Sequence, residues 1–184
     1  MSKEIVARWQ DWSGEGIEHL VLRQGPAEIV AEAAILTRID EQPFAVRYRL
    51  VCDSSWRIRE AEIARVGNES SIQLASDGAG NWVDGAGIAQ TSLRGALDID
   101  ISATPFTNTL PIRRLRMPVG EAAEIVVVYV QLPGLQVTTD RQRYTRLDAS
   151  RYRYESVDSD FTRDIEVDEH GLVVTYPGLF RRVF

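Results

Sequence analysis

The chain has 184 residues, a formal net charge of -6, 44% hydrophobic and 26% charged residues, and a single cysteine, Cys52. This composition is typical of one globular domain spanning residues 1–184, and the negative charge argues against a nucleic-acid partner, because phosphate binding needs a positive surface. The sequence contains no secretory signal, no apolar run of about 18 residues that would span a membrane and no cysteine pair, so we expect a cytoplasmic protein.

The first half of the chain predicts strands separated by short turns. The clearest strand runs from Phe44 to Cys52, where every second residue is apolar. The stretch from Ala27 to Ile39 contains several alanines, which favour a helix, but its apolar residues alternate and no N-cap precedes it, so we predict a strand. From Trp56 to Val66 the apolar residues change parity, which indicates a β-bulge near Glu60 to Glu62. The other strands predicted here are Lys3 to Trp12, Ile17 to Arg23, Glu69 to Ala75 and a return strand from Trp82 after a hairpin turn at residues 77–81.

The stretch from Leu97 to Leu115, LDIDISATPFTNTLPIRRL, breaks this pattern. It begins as a strand with Asp98 and Asp100 on one face, and two prolines then interrupt it. We therefore expect only short helical turns near residues 104–115, which turn the chain at the rim of the sheet.

The second half of the chain returns to strands. Residues 123–132 are apolar on both faces, which predicts a strand buried on both sides or one whose second face lines a cavity. The remaining strands predicted here are Leu135 to Thr139, Gln142 to Leu147, Arg151 to Val157, Phe161 to Val167, Leu172 to Tyr176 and Leu179 to Phe184. So many short strands, with no long helix and no linker, predict a mainly β protein whose antiparallel sheet curls or closes.

Asp98 and Asp100 are candidates for chemistry, because side chains two residues apart on a strand lie about 6–7 Å apart on one face. Paired carboxylates of this kind serve acid–base catalysis or bind a metal. The alternative is that they face solvent or form ion pairs with arginines. We favour the alternative, since no histidine or third carboxylate stands at ligand spacing, and we expect asparagine at either position to lower stability and leave ligand binding intact.

Arginines occupy alternate positions on three predicted strands, on the sheet face opposite the aromatic residues. The pairs are Arg47 and Arg49, Arg57 and Arg59, and Arg151 and Arg153. Such rows are typical of a solvated outer face with arginine–glutamate pairs across strands, which is the interpretation we favour. The alternative is an inward polar face that pairs with Asp98 and Asp100 or binds an anionic head group.

No motif for catalysis or metal binding stands out. The segment Ser76 to Gly85 resembles a calcium loop only superficially, because Ala79 occupies a ligand position and no bidentate glutamate follows, so we predict a hairpin turn. The two histidines, His19 and His170, have no G-x-S-x-G motif with which to form a triad. Cys52 lies on the apolar face of its strand, as is typical of a buried, inert thiol. We therefore predict no catalytic residue, no metal and no cofactor.

Three blocks of the sequence resemble, in this order, the bacterial family described as "putative glycolipid-binding", formerly a domain of unknown function. The blocks are DGAGNWVDG, LDIDISATPFTNTLPIRRL and DEHGLVVTYPGLFRRV. Trp56 with Arg57, and Gln142 with Tyr144, also resemble the family pattern, and the resemblance covers nearly the whole chain. It implies a highly twisted β half-barrel or incomplete barrel. That fold is distantly similar to periplasmic lipoprotein carrier and receptor proteins, which hold acyl chains on a concave apolar face.

From the residues and the resemblance together we predict a non-catalytic lipid- or glycolipid-binding protein that is a monomer or a weak homo-oligomer. We expect acyl chains on the concave face, and polar groups from Thr104 to Arg114 in contact with the head group near its opening. Two alternatives stay open: an enzyme acting on a sugar or lipid conjugate through Asp98 and Asp100, and an interaction module that uses an exposed sheet edge. The residues predicted to bind the ligand are Trp56, Arg57, Trp82, Asp98, Asp100, Asn108, Arg113, Arg114 and Tyr144.

Overall fold

The computed structural model describes residues 3–39 and 41–184, which form one sheet of fourteen strands. The strands are β1 (Lys3–Asp11), β2 (Ile17–Gln24), β3 (Glu28–Ile39), β4 (Gln42–Asp53), β5 (Ile58–Arg65), β6 (Ser71–Ser76), β7 (Trp82–Asp84), β8 (Asp98–Ile101), β9 (Ala122–Gln131), β10 (Gln136–Arg146), β11 (Arg151–Ser156), β12 (Thr162–Val167), β13 (Val173–Tyr176) and β14 (Phe180–Arg182). The described residues also contain one α-helix, α1 (Thr109–Leu115), and two short 3-10 turns, Thr91–Leu93 and Phe106–Asn108. Within these ranges no helix is both long enough and apolar enough to cross a membrane.

The strands follow the order β7-β6-β5-β4-β3-β2-β1-β14-β13-β12-β11-β10-β9-β8, so the first and last strands are neighbours at the centre of the sheet. Neighbouring strands are antiparallel, except that β8 and β9 run parallel. The edge strands β7 and β8 do not pair with each other, so the sheet stays open and does not close into a barrel. The prediction of a mainly β protein with a curled, incomplete barrel is confirmed.

Apolar alternation produces strands where it was predicted to do so. The inward residues of β4, at alternate positions from Phe44 to Cys52, are each at most 8% exposed. The alanine-rich β3 is a strand and not a helix, because its backbone pairs along its length with both β2 and β4. Alternation was therefore a better guide to β3 than the helix propensity of its alanines.

The change of parity in β5 is caused by a β-bulge, as predicted, at a slightly different position. Cys52 pairs with Ile58 while the preceding Val51 pairs with Glu60, so that Arg59 is the extra residue. The bulge lies one residue before the predicted range. It brings the apolar residues on both sides of Arg59 onto the same, inward face of the sheet.

Two predictions for the second half need correction. We predicted two strands where β10 is continuous, because the polar residues Asp140 and Arg141, which suggested a turn, pair with Val127 and Val126 of β9. We also predicted that the strand from residue 123 is buried on both sides or lines a cavity with its second face. Tyr129 does line a cavity, but Val126 is 36% exposed. Both faces of β9 are buried only around Val127 and Val128, where the strand lies beside β8 and β10.

The segment between β7 and the end of α1 packs against the inner face of the sheet. Ile99, Ile101, Phe106 and Leu110 form one buried cluster with inward side chains of β1 to β6. Every residue from 104 to 112 is buried. We expected this stretch to turn the chain at the rim. It lies inside the core instead, because its apolar side chains complete the cluster that the open sheet leaves uncovered.

Hydrogen bonds tie the polar side chains of this segment to the sheet. The hydroxyls of Thr104 and Tyr48 donate to one oxygen of Glu18, Oε1, over 2.8 and 2.5 Å. Glu18 is 3% exposed, and its other oxygen, Oε2, has no partner among the described residues. Thr109 Oγ1 donates to the carbonyl oxygen of Gly171 over 2.9 Å. The segment is therefore linked to β2, β4 and the turn that precedes β13.

The outer edge of β7 is covered by the chain that follows it. The N–H of Gln90 donates to the carbonyl oxygen of Trp82 over 2.8 Å, and the N–H of Asp84 donates to that of Ile88 over 3.0 Å. These bonds use backbone groups that a peptide would need in order to extend the sheet. They weigh against an interaction module at this edge.

Candidate functional site

Asp98 and Arg114 form a buried ion pair where β8 meets the end of α1. Arg114 Nη2 donates to Asp98 Oδ2 over 2.6 Å, and Arg114 Nε donates to Oδ1 over 3.0 Å. Asp98 is completely buried, and this burial raises its pKa, while the contact with Arg114 opposes the rise. The ion-pair alternative therefore holds for Asp98. Its two oxygens are both bound to the guanidinium, which leaves the carboxylate to brace the corner between strand and helix.

A cavity of about 370 Å³ opens on the inner side of the second half of the sheet. One side is polar and includes Asp100, Asn108 and Asp140. The other side carries aromatic rings, among them Tyr154 and Tyr176. We call this space the aromatic cavity. Of the two carboxylates singled out in the sequence, Asp100 lines it and Asp98 does not.

The amide of Gln142 joins two carboxylates on the polar side of the aromatic cavity. Gln142 Nε2 donates to Asp100 Oδ2 over 2.8 Å and to Asp140 Oδ2 over 3.1 Å. The other oxygen of Asp100 accepts from Thr107 Oγ1 over 2.8 Å. Burial raises the pKa of Asp100, the two hydrogen bonds lower it, and the neighbouring charge of Asp140 adds to the rise. Each carboxylate keeps lone pairs that are free to accept from a ligand.

Aromatic residues from β11, β13, β14 and the turn between β11 and β12 form the opposite side. The ring centroid of Tyr154 is 5.8 Å from that of Phe161 and 6.3 Å from that of Tyr176, and Tyr176 is 6.4 Å from Phe180. Tyr129 of β9 also lines the cavity. Burial raises the pKa of Tyr154 and of Tyr176, so both hydroxyls stay protonated and act as neutral hydrogen-bonding groups.

Asn108 and Tyr144 are hydrogen-bonded to each other at the polar side of the cavity. The Tyr144 hydroxyl donates to Asn108 Oδ1 over 2.8 Å, and Asn108 Nδ2 donates to the carbonyl oxygen of Pro105 over 3.2 Å. Tyr144 is 1% exposed, and its ring lies 5.5 Å from that of Tyr154, edge to face. Asn108 lines the aromatic cavity, whereas Tyr144 holds Asn108 and Tyr154 in place.

Other residues predicted to bind a ligand lie elsewhere. Trp56 precedes β5 with a positive φ of 65° and is 3% exposed, and the Arg113 guanidinium stands 5.3 Å from its ring centroid. Arg57 is exposed beside it. Trp82 is 2% exposed and donates its indole N–H to the carbonyl oxygen of Ala96 over 2.9 Å. These tryptophans act in the core, and neither of them lines the aromatic cavity.

Sequence reasoning missed Asp140 and the tyrosines Tyr129, Tyr154 and Tyr176 as site residues. A signal for Asp140 was present, because it precedes Gln142 and Tyr144 at alternate positions of one strand. The turn predicted between Thr139 and Gln142 hid this pattern. For the tyrosines, the spacing alone gave no means of telling a cavity wall from ordinary core packing.

Two of the three arginine pairs, Arg47 with Arg49 and Arg151 with Arg153, lie on the outer face of the sheet, which is the interpretation we favoured. The third pair forms no row, because Arg57 precedes β5 and Arg59 is the extra residue of the bulge, where it binds Asp53 over 2.8 Å. Arg49 lies 3.4 Å from Glu60 on the neighbouring strand, and Arg153 lies 2.8 Å from Asp164. The alternative, in which these rows face inward and pair with the aspartates of β8, is wrong, because Asp98 pairs with the helix residue Arg114. In the part of the chain that the structure describes, no group of three or more His, Cys, Asp or Glu side chains is placed to hold a metal ion.

The chain is similar to a known protein family and to a solved structure. A family model with the description "Putative glycolipid-binding" matches residues 6–182. Among solved structures, the chain is similar to a DUF1089 family protein from Pseudomonas aeruginosa, with 41% sequence identity, 92% of each chain covered and a TM-score of 0.81. No curated protein matches it. The match to the family model includes every strand that contributes to the aromatic cavity.

Proposed function

The chain belongs to the family described as "Putative glycolipid-binding", and on this premise we propose that its aromatic cavity binds the carbohydrate head group of a glycolipid. The proposal rests on one observation: Asp100 and Asp140 line the same cavity of about 370 Å³ as several tyrosines. Cavities that bind small ligands are usually about 300–1,000 Å³ and combine apolar walls with a few polar groups. A head group of one or two sugar rings matches the lower end of that range.

The chemistry of the two sides supports a sugar. A pyranose ring has apolar C–H faces that pack against aromatic rings, which Tyr154 and Phe161 would supply. Its hydroxyl groups lie around the edge and donate hydrogen bonds to carboxylates, which Asp100 and Asp140 would accept. Because one Gln142 amide binds both carboxylates, their positions are set before a ligand arrives. This arrangement reduces the entropy that binding would otherwise cost.

We place the acyl part of the ligand at the mouth of the aromatic cavity and not on the inner face of β1 to β6. That inner face is covered by the chain's own residues, such as Phe106 and Leu110. At the mouth, Leu179 and Phe180 line the cavity, and the carbonyl oxygen of Leu179 accepts from the N–H of Trp12 over 2.8 Å. Trp12 is 49% exposed and offers apolar area beside the opening. An acyl chain leaving the cavity here would contact these side chains.

Titration calorimetry with octyl glycosides of glucose, galactose and mannose tests the proposal. Asp140→Asn should weaken binding about tenfold, because a hydrogen bond to a charged group contributes about 1.5–3 kcal/mol and tenfold is about 1.4 kcal/mol. Asp160→Asn is the matched control, since Asp160 is an exposed aspartate next to Phe161 that does not line the cavity. No binding of any octyl glycoside or of a wider glycolipid panel, or equal binding by Asp140→Asn, would contradict the proposal.

The placement of the acyl chain has a separate test. Trp12→Ala should weaken the binding of octyl glycosides and leave the binding of the corresponding methyl glycosides unchanged. An equal loss of affinity for octyl and methyl glycosides in Trp12→Ala would refute the position of the acyl chain and leave the sugar site standing.

The sugar site should also depend on pH. Because burial raises the pKa of Asp100, the binding of octyl and methyl glycosides should weaken on acidification at a higher pH than it would with an ordinary carboxylate.

A second candidate function is hydrolysis of a glycosidic bond, and the Asp100–Asp140 pair is the observation that favours it. Asp100 Oδ2 and Asp140 Oδ2 both lie within 3.1 Å of Gln142 Nε2, so these two oxygens are less than about 6 Å apart. The carboxyl groups of retaining glycosidases are about 5–5.5 Å apart, one acting as acid and the other as nucleophile. Release of nitrophenol from nitrophenyl glycosides, lost in Asp140→Asn, would support hydrolysis. Binding without release would support the binding function.

A further inference from the structure

A second cavity, of about 280 Å³, lies at the carboxyl end of α1 and contains three arginines. Arg113 and Arg116 come from α1 and its C-cap, and Arg146 comes from the end of β10. Tyr152 of β11 lies between them, with the Arg146 guanidinium 5.7 Å from its ring centroid. We call this space the arginine pocket. Three positive charges meet here in a chain whose formal net charge is -6.

The charges of these arginines are not balanced by carboxylates. None of the three forms an ion pair with a residue of the ranges 3–39 and 41–184. The two acidic residues that line the pocket do little to change this, because Asp168 is paired with Arg182 over 2.7 Å and the side chain of Glu169 is 86% exposed. Like charges held together without a counter-ion repel one another, so an anion in this pocket would be bound favourably.

Two of the arginines are held in place by contacts that leave their charge available. Arg146 donates to the carbonyl oxygens of Met117 and Asp148 over 2.7 and 3.1 Å, neither of which carries a formal charge. The Arg113 side chain packs between the Trp56 ring and the turn at Gly171. A Cβ on Gly171, whose φ is +76°, would come within 2.9 Å of Arg113 Cδ, so glycine is required for this approach.

Arg113 also has an unused hydrogen-bond donor. Its Nε is buried and has no hydrogen-bond partner in the described residues. The dipole of α1 does not explain why arginines gather at its carboxyl end. The helix is only seven residues long, and Arg114 in its last turn is held there by Asp98. A buried N–H without an acceptor is unfavourable unless a ligand supplies the acceptor.

We propose that the arginine pocket binds a phosphate group, either in a phosphorylated lipid head group or in a soluble phosphate ester. Guanidinium groups match the oxygens of phosphate with parallel N–H donors, and three of them neutralise a dianion. The site is separate from the aromatic cavity. The two lie side by side on the inner face of β11, where Tyr152 faces the arginine pocket and Tyr154 the aromatic cavity.

Titration calorimetry with inorganic phosphate and with glycerol 3-phosphate tests the proposal. Arg113→Gln and Arg116→Gln should each weaken binding about tenfold, because each removes a charged hydrogen-bond donor. Arg116 is exposed, so Arg116→Gln should fold with an unchanged Tm even if Arg113→Gln is less stable. Arg151→Gln is the matched control, since Arg151 precedes Tyr152 but pairs with Asp148 on the outside. Absence of saturable binding, or equal binding by Arg116→Gln, Arg113→Gln and the parent, would overturn the proposal.

Sedimentation with vesicles distinguishes the two sources of the phosphate. Vesicles of phosphatidylcholine should leave the protein in the supernatant, and vesicles that also contain phosphatidic acid should sediment it if the ligand is a lipid. Loss of sedimentation in Arg116→Gln, with Arg151→Gln unaffected, would assign the site to a lipid phosphate. Binding of glycerol 3-phosphate without sedimentation would assign it to a soluble ester. Asp140→Asn, which tests the sugar site, should bind phosphate like the parent.

Discussion

Replacing Glu18 with glutamine should change how the stability of the protein depends on pH. Glu18 is buried between β2, β4 and the segment that fills the sheet, and one of its oxygens has no partner within the described residues. Burial raises its pKa from 4.5 to about 7, although the hydrogen bonds from Tyr48 and Thr104 lower it. Between these two pKa values the folded state binds more protons than the unfolded state. The free energy of unfolding therefore falls as the pH rises from about 4.5 to about 7, and then levels off.

The size of this effect follows from the shift in pKa. A shift of about 2.5 pKa units at about 1.4 kcal/mol per unit corresponds to about 3.5 kcal/mol in total. About 2.5 kcal/mol of this is lost between pH 5 and pH 8, most of it below pH 7, because part of the loss already occurs below pH 5. In Glu18→Gln the side chain is uncharged at both pH values, and its Oε1 still accepts from Tyr48 and Thr104. The variant should therefore lose about 2.5 kcal/mol less than the parent over this interval, whatever its stability at pH 5.

Urea unfolding at pH 5 and pH 8 measures this difference. Glu28→Gln is the control, because Glu28 is exposed and forms no ion pair with any residue the structure describes, so it should keep the pH dependence of the parent. The comparison of parent and variant cancels the contributions of all groups that titrate in both proteins. If Glu18→Gln and the parent lose the same free energy between pH 5 and pH 8, the assignment of a buried, proton-binding Glu18 is refuted.

Three further predictions concern stability and reactivity. Asp98→Asn should lower the free energy of unfolding, measured by urea denaturation, by about 3–5 kcal/mol, because Arg114 would be left buried without its counter-charge. A loss below about 1 kcal/mol would contradict this prediction. Gly80→Ala should lower it by at least about 1 kcal/mol, since φ is +90° there and a Cβ would lie 2.9 Å from the Cα of Gly95; unchanged stability would contradict that strain. Cys52 is buried, and burial raises the pKa of its thiol. Ellman's reagent should therefore not react with this thiol in the native protein at pH 8 and should react with it fully in urea. Rapid labelling of the native protein would argue against a buried thiol.

The strands could be predicted from the sequence because alternation is a local property. The inward residues of β4 and the change of parity at Arg59 both follow from the requirement that apolar side chains face one side of a sheet. Where polar residues occur inside a strand, as at Asp140 and Arg141 of β10, the same rule predicts a turn that does not exist. Pairing with β9 keeps these residues extended, and a sequence pattern contains no information about that neighbour.

The buried position of residues 104–112 could not be predicted for a different reason. Its prolines indicate where the chain turns but not which surface then covers it. Its threonines favoured exposure, yet each of three has a hydrogen-bond partner inside the protein: Thr104 donates to Glu18, Thr107 to Asp100 and Thr109 to a backbone carbonyl. Buried polar groups are tolerated when they are paired, and that pairing depends on residues far away in the chain.

The central position of β1 and β14 has a consequence for how the protein folds. Apart from the parallel pair β8 and β9, each half of the sheet is a series of hairpins between strands that are close in sequence, whereas β1 and β14 join Trp9 to Arg182. The indole N–H of Trp9 donates to the carbonyl oxygen of Val173 over 2.7 Å across the same junction. Docking of the two halves therefore requires closure of nearly the whole chain, which slows folding more than it lowers stability. A circular permutant that joins the ends and opens between β7 and β8 would place all fourteen strands in chain order, and the pairing of β1 with β14 would become a local step.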